Sequence, residues 1–256
     1  MSKTNINRLK KSALILALLY LLYTAPVRAQ SNGIDSVTFG IGCYATGNYS
    51  IAGGENSWAI GTASSAIGLS ATATGDYSFA SGYMTLASQF ASTASGEYSM
   101  ATGPDSDAFG LSTTTIGPGS MAFGFCTTAS GYYSAASGVG SSASGYGATA
   151  AGNDTNASAW SEFAVGSFNA INTGNPNNWV PTDPIFEVGN GYYPGVFGWS
   201  GPAVYSDALV VYKNGNTTIT GTLSISGDNA VLVNQTGDIS MGGFTAGPTP
   251  APGPTP

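Results

Sequence analysis

The chain has 256 residues, with six basic and thirteen acidic side chains, no histidine and two cysteines. Five of the six cations lie within the first 29 residues, so beyond them Lys213 alone faces thirteen carboxylates, a net charge of about −12. Such a surface has no electrostatic hold on phosphate backbones or anionic lipid. Without histidine, Ser–His and Cys–His nucleophiles are also excluded.

Residues 1–29 read as a secretory signal peptide. Lys3, Arg8, Lys10 and Lys11 form a basic start, Ala13 to Tyr23 an apolar stretch, and Val27-Arg28-Ala29 a cleavage site before Gln30. The apolar run is short for a bilayer span. The mature chain is therefore expected to be secreted and not to insert into a membrane.

Residues 30–166 carry one pattern. From Ile34 to Gly166, nineteen seven-residue units share the template x-x-Ser-x-Ala-x-Gly. Only Gln89 and Ala159 interrupt the glycine column, and only Thr38 and Thr115 the alanine column. A period this strict marks a solenoid, whose units stack on neighbours and do not fold alone. Small and variable residues alternate within each unit, as in a strand, and a glycine every seven residues disfavours helix. Glycine also permits a turn with positive φ, so each unit reads as a short strand and a corner. The small-residue face is expected to be the narrow inside of a flattened coil. A methyl-lined interior contributes little apolar area per turn, so the outward residues are expected to pack on sister chains in a homo-oligomer. Cys43 and Cys126 fall too many coils apart for a disulfide.

Residues 167–246 lose the period. Ser167 to Pro184 reads as loops, followed by strand-like runs from Pro184 to Val188, Ala208 to Lys213, Thr217 to Ser226 and Ala230 to Val233. Asn214-Gly215 is a hairpin signal. Trp179, Tyr192, Tyr193, Phe197 and Trp199 are candidates to cover the open end of the solenoid, which otherwise exposes strand edges. Residues 247–256 form a Pro-rich tail.

Candidate chemistry is sparse. Asp105 and Asp107 read as solvated charges, and no calcium-loop pattern occurs. No enzyme activity, cofactor or metal is expected. Tyr49, Tyr77, Tyr98 and Tyr133 share the second column of the unit, and an exposed aromatic row can stack on sugars or anchor a protein. Thr72/Thr74 and Thr113/Thr115 have the spacing of an ice-binding array but fall on opposite faces.

The segment Asn56-Ser57-Trp58-Ala59-Ile60-Gly61-Thr62-Ala63-Ser64 resembles the repeat Asn-Ser-Val-Ala-Ile-Gly-x-x-Ser of YadA-like head domains of trimeric autotransporter adhesins, with Trp58 in place of valine. Weaker copies lie at Gly119 to Gly124 and Glu162 to Gly166. Neck, stalk and membrane-anchor motifs are not seen. The resemblance implies an all-β fold, a left-handed parallel β-roll of seven-residue half-turn units, with three chains side by side on a bacterial cell surface. It implies adhesion to a collagen-like matrix protein, a glycan or a surface. Asn56, Ser57, Trp58, Ala59, Ile60 and Gly61 become candidate ligand-binding residues by that resemblance, and Tyr77 and Tyr98 join them from the aromatic column. The alternative is a self-assembling coat or fibre component without a ligand. The resemblance implies fourteen residues per turn, whereas large apolar residues recurring every third unit, from Val37 to Val165, suggest twenty-one. Fourteen is the expected period.

Overall fold

The computed structural model describes residues 30–171, 173–194 and 202–220. The leader, the tail, the run from Ala230 to Val233 and the aromatics Phe197 and Trp199 lie outside the described residues.

Each coil takes fourteen residues and holds one five-residue strand and one two-residue strand. The long strands run from Val37–Ile41 to Phe163–Ser167 and the short ones from Gln30–Ser31 to Asn156–Ala157. Successive coils pair in parallel with like residues in register: Ala94 opposite Ala108 and Gly96 opposite Gly110, then Ala108 opposite Ala122 and Gly110 opposite Gly124. The result is a β-solenoid of stacked coils, in two sheets of ten and thirteen strands. The twenty-one-residue reading is thereby corrected. Its apolar residues divide between the sheets, with Phe79, Met121 and Phe163 on long strands and Trp58 and Met100 on short ones.

The interior is as narrow as the small face requires. Ala45, Ala52, Ala59 and their successors to Ala164 have no exposed surface, and the serine column is equally buried. The hydroxyls there close the corners. Ser50, Ser78, Ser106 and Ser134 each donate to the carbonyl of the glycine three residues back, at 2.6–2.8 Å. On the opposite edge, Ser57, Ser99 and Ser141 donate across the coil to Gly68, Gly110 and Gly152 at 2.8–3.0 Å. Some of the larger intruders are accommodated by hydrogen bonds: Thr115 donates to Ser106, and Thr113 to Ser99, both at 2.9 Å, whereas the buried hydroxyls of Thr85 and Thr127 find no partner among the described residues. Buried hydroxyls that find such partners avoid the desolvation cost of unpaired ones. Thr72 and Thr74 meanwhile flank the outward side of the short sheet, so the two threonine pairs do lie on different faces.

The turn chemistry differs from the sequence expectation. Left-handed φ at the corners falls on the second column, while the glycines that end alternate units have positive φ inside the long strands. Tyr49, Asn56, Ala63, Tyr77 and Tyr98 all have φ between 53° and 60°. Bonds between coils impose this geometry: Tyr49 N–H donates to Ile34 O, Ala63 to Asn48 and Tyr77 to Thr62, at 2.7–2.8 Å. The glycine column itself divides in two. Gly54, Gly68, Gly96 and Gly110 lie inside long strands with φ between 103° and 145°, a region that disfavours any side chain. Gly47, Gly61 and Gly117 precede the corners, where an added Cβ would meet the next coil's carbonyl oxygen at 2.0 Å. Both interruptions, Gln89 and Ala159, fall in this second set, where φ is not positive.

The C-terminal end is closed by strands and polar side chains. Strand Pro184–Asn190 continues the long sheet in parallel, with Phe163 opposite Phe186. Strands Asp207–Tyr212 and Thr217–Ile219 then add antiparallel, joined by the expected turn at Asn214-Gly215, where Gly215 has φ 87°. The short sheet ends instead on Asn169. Its Oδ1 accepts from Asn156 N–H at 2.7 Å, and its Nδ2 donates to Asn156 O at 2.8 Å, as the next strand's backbone would. The expected aromatic cover is corrected for Trp179, Tyr192 and Tyr193, while Phe197 and Trp199 lie outside the described residues. Trp179, Tyr192 and Tyr193 remain 54%, 57% and 41% exposed, because the orphaned edge groups demand hydrogen bonds that rings do not supply. Asn169→Leu is expected to destabilise the solenoid's end by about 3 kcal/mol, since it strands buried donors and acceptors at about 1–3 kcal/mol each. Chemical denaturation with a probe at Trp160 measures it.

Candidate functional site

Buried alanine and serine columns fill the interior of the described coils, so the outer faces are the surfaces that the repeat offers to a ligand. Three are built by the repeat. The long sheet turns Phe39, Ile67, Phe123 and Phe125 outward, each at least 37% exposed. Rings there stack along the axis, with Phe109 and Phe123 centred 5.2 Å apart and 10° from parallel. The short sheet turns out Trp58, Ile60 and Met100 among threonines. The third face is the corner that leads from each short strand into the next long one.

The expected repeat motif separates by parity. Asn56 stands at an exposed corner, and its Oδ1 fills space that a side chain at Gly42 would need. Trp58 is 46% exposed and leans on Tyr44 at 4.9 Å, while Ile60 is 42% exposed. Ser57, Ala59 and Gly61 are buried and face the interior, where they hold the coil. The outward triad Asn56, Trp58 and Ile60 is thus the part of the motif that can touch a partner.

The tyrosine column also separates. Fourteen residues per turn place Tyr49, Tyr77 and Tyr133 on one edge of the coil, and Tyr98 on the other edge with Asn56. Tyr77 is 61% exposed and meets Phe90 edge-on at 5.5 Å. Tyr98 meets Tyr83 edge-on at 5.2 Å, and a side-chain hydrogen bond with Tyr83, ahead of burial, holds its phenol above the usual range. A single row of four tyrosines does not exist. Tyr98 lies three coils from Asn56, about 14 Å along the axis at ~4.8 Å per layer.

A different aromatic array occupies the short-to-long corner. Tyr132 and Tyr146 stack at 6.4 Å, and Tyr146 and Trp160 at 4.4 Å. Tyr133 closes on Tyr146 edge-on at 5.7 Å, lying over Gly119, which leaves room for its ring. The segment around Asn175 and Pro176 completes the edge, its carbonyls accepting from Trp160 and Tyr146 N–H at 2.9 and 2.8 Å. The sequence carried this signal: three aromatics fourteen residues apart in the first column. A seven-residue template merges the two edges of the coil in each column, so this row stands out only at the fourteen-residue period.

Fourteen-residue coils with a serine–alanine–glycine interior and a variable exterior agree with one known repeat. The family model described as YadA head domain repeat (2 copies) matches residues 59–83, 90–106, 94–125 and 116–141. Residues 59–141 carry repeats of the YadA head type. No curated protein matches the chain. The matched segments run from residue 59 to residue 141, with 84–89 unmatched, and include Ile60, Tyr77 and Tyr98, while Asn56 and Trp58 lie just ahead of them. These repeats and the β-solenoid fit an adhesin-type head, and no helix occurs among the described residues.

Cys43 is buried and Cys126 exposed, and both are free, as their separation along the coils requires. No group of three or more metal-ligating side chains occurs among the described residues.

Proposed function

We propose that the chain is the head of a secreted, cell-surface adhesin that assembles as a homotrimer and binds a collagen-like matrix protein or a glycan through its outer faces. It does so without catalysis or cofactor. The observation that carries this reading is the long sheet's outward apolar column. Phe39, Ile41, Phe123 and Phe125 are 39–55% exposed on one chain, an apolar surface of the kind that marks an interaction site. Sister chains that cover it leave the short sheet and the corners free for a ligand. Net negative charge and the leader sequence support an extracellular setting without nucleic acid.

Two measurements test the reading. Sedimentation of the chain from Gln30 onward gives a three-chain mass if it holds, and a single-chain mass contradicts it. Trp58→Ala is expected to weaken binding to immobilised matrix protein or glycan by about tenfold or more, as for an interface aromatic anchor, with thermal unfolding unchanged. Unchanged affinity removes Trp58 from the site. Ligand-independent polymerisation would favour a coat component instead.

A further inference from the structure

Two carboxyls are buried where the last coil meets its cap. Glu162 stands in the serine column, and Glu187 lies opposite Ala164, one layer beyond the alanine column. They are 1% and 0% exposed. Glu162 Oε2 accepts from the N–H groups of Ser158 and Ala159 at 2.8 and 2.7 Å, two donors that the next coil would otherwise occupy. Asn169 donates one amide hydrogen to Glu187 Oε2 and another to Asn156 O. Asn169 thus ties one carboxyl to the short sheet's edge, and Glu162 ties the other to the corner.

Glu162 Oε1 is buried without a donor among the described residues and faces the Glu187 carboxyl. Two ionised carboxylates this close, away from water, repel each other, so the arrangement calls for a shared proton. We propose that the Glu162–Asn169–Glu187 cluster is a proton-gated latch at the C-terminal end of the solenoid, holding the cap closed while the two carboxyls share a proton and loosening it once both ionise.

Burial first, and then the Glu187 charge, raise the Glu162 carboxyl to about 8, against the lowering effect of the Ala159 and Ser158 N–H groups. Of the other charged groups packed around the pair, Lys213 attracts Glu162 without cancelling the effect of its burial. Lys213 has its buried Nζ 3.9 Å from Asp183 and over the Trp179 ring, and burial lowers its pKa. Asp207 is raised by burial and accepts from Ala170 N–H at 3.0 Å. Asp154, also raised by burial, acts on Tyr205. A carboxyl raised in the folded state opposes folding as it ionises. The latch is therefore fully closed below the unfolded value near 4.5 and loosens as pH climbs toward about 8.

Hydrogen exchange on the assembled protein tests this, with rates corrected for intrinsic pH dependence. Opening at Asn156, Ser158 and Ala159 is expected to rise about tenfold or more between about pH 6 and pH 9. Glu162→Gln, which keeps the acceptor and cannot ionise, removes that rise, and Glu187→Gln reduces it. In parallel, carboxyl carbon NMR of the unaltered protein is expected to show one glutamate titrating well above the ordinary range. Opening that is independent of pH in the unaltered protein, a rise that persists in Glu162→Gln, or all glutamates titrating normally would each overturn the latch.

Discussion

Gly110→Val is expected to destabilise the solenoid by about 4 kcal/mol or more, enough to unfold a marginal head. Two independent penalties combine. The residue sits in a long strand at φ 133°, where a β-branched side chain has no comfortable conformation. A Cβ built there lies 2.0 Å from Gly124 O and 3.1 Å from Gly124 N, both backbone of the next coil. Neither atom can move without breaking the ladder that pairs the strands. Ala63→Gly is the contrasting control. Ala63 is an exposed corner residue at φ 53°, a conformation that glycine adopts freely, so stability should change by about 1 kcal/mol or less. Thermal or denaturant unfolding of both variants gives the comparison, and equal effects would mean that the strand and corner environments have been misassigned.

The second large effect concerns assembly. Phe109→Asp with Phe123→Asp places two carboxylates in the stacked pair on the outward side of the long sheet. If that face is the contact between protomers, each ring buried there contributes about 1.5–3 kcal/mol, and an unpaired charge in its place costs more. The doubly substituted protein is expected to sediment as single chains while its far-ultraviolet β signal persists. The interior does not contact these rings, because Ala108 and Ala122, their inward neighbours, form the wall between. A variant that retains the oligomeric mass would place the contact on another face.

These two expectations show which parts of the fold were readable. The inside was legible because it tolerates only methyl- and hydroxyl-sized groups, so Ala59, Ala66 and Ser57 announce their orientation by size alone. The corners were not. Preference assigns positive φ to glycine, yet inter-coil bonds impose it on Tyr49, Tyr77 and Met84. A trace existed, since Gly42, Gly119, Gly140 and Gly147 share that column with Asp35, Asn56 and Asp154. The binding candidates suffered from the same ambiguity. A seven-residue column merges two edges of a fourteen-residue coil, so Tyr98 seemed aligned with Tyr77 when the coil sets them on opposite sides. The cap was legible as strands but not as chemistry. Asn169, Glu162 and Glu187 are polar residues in an irregular stretch, and only the stranded edge groups they satisfy reveal their purpose.

Fourteen residues advance the chain by one layer. Nuclear Overhauser contacts between backbone protons of residues fourteen apart test it most directly, on protein labelled at the glycines. Contacts linking Gly96 with Gly110 and Gly110 with Gly124 are predicted, in the register of the paired long strands. Contacts linking Gly96 with Gly117 instead, or none at any fixed interval, would contradict it.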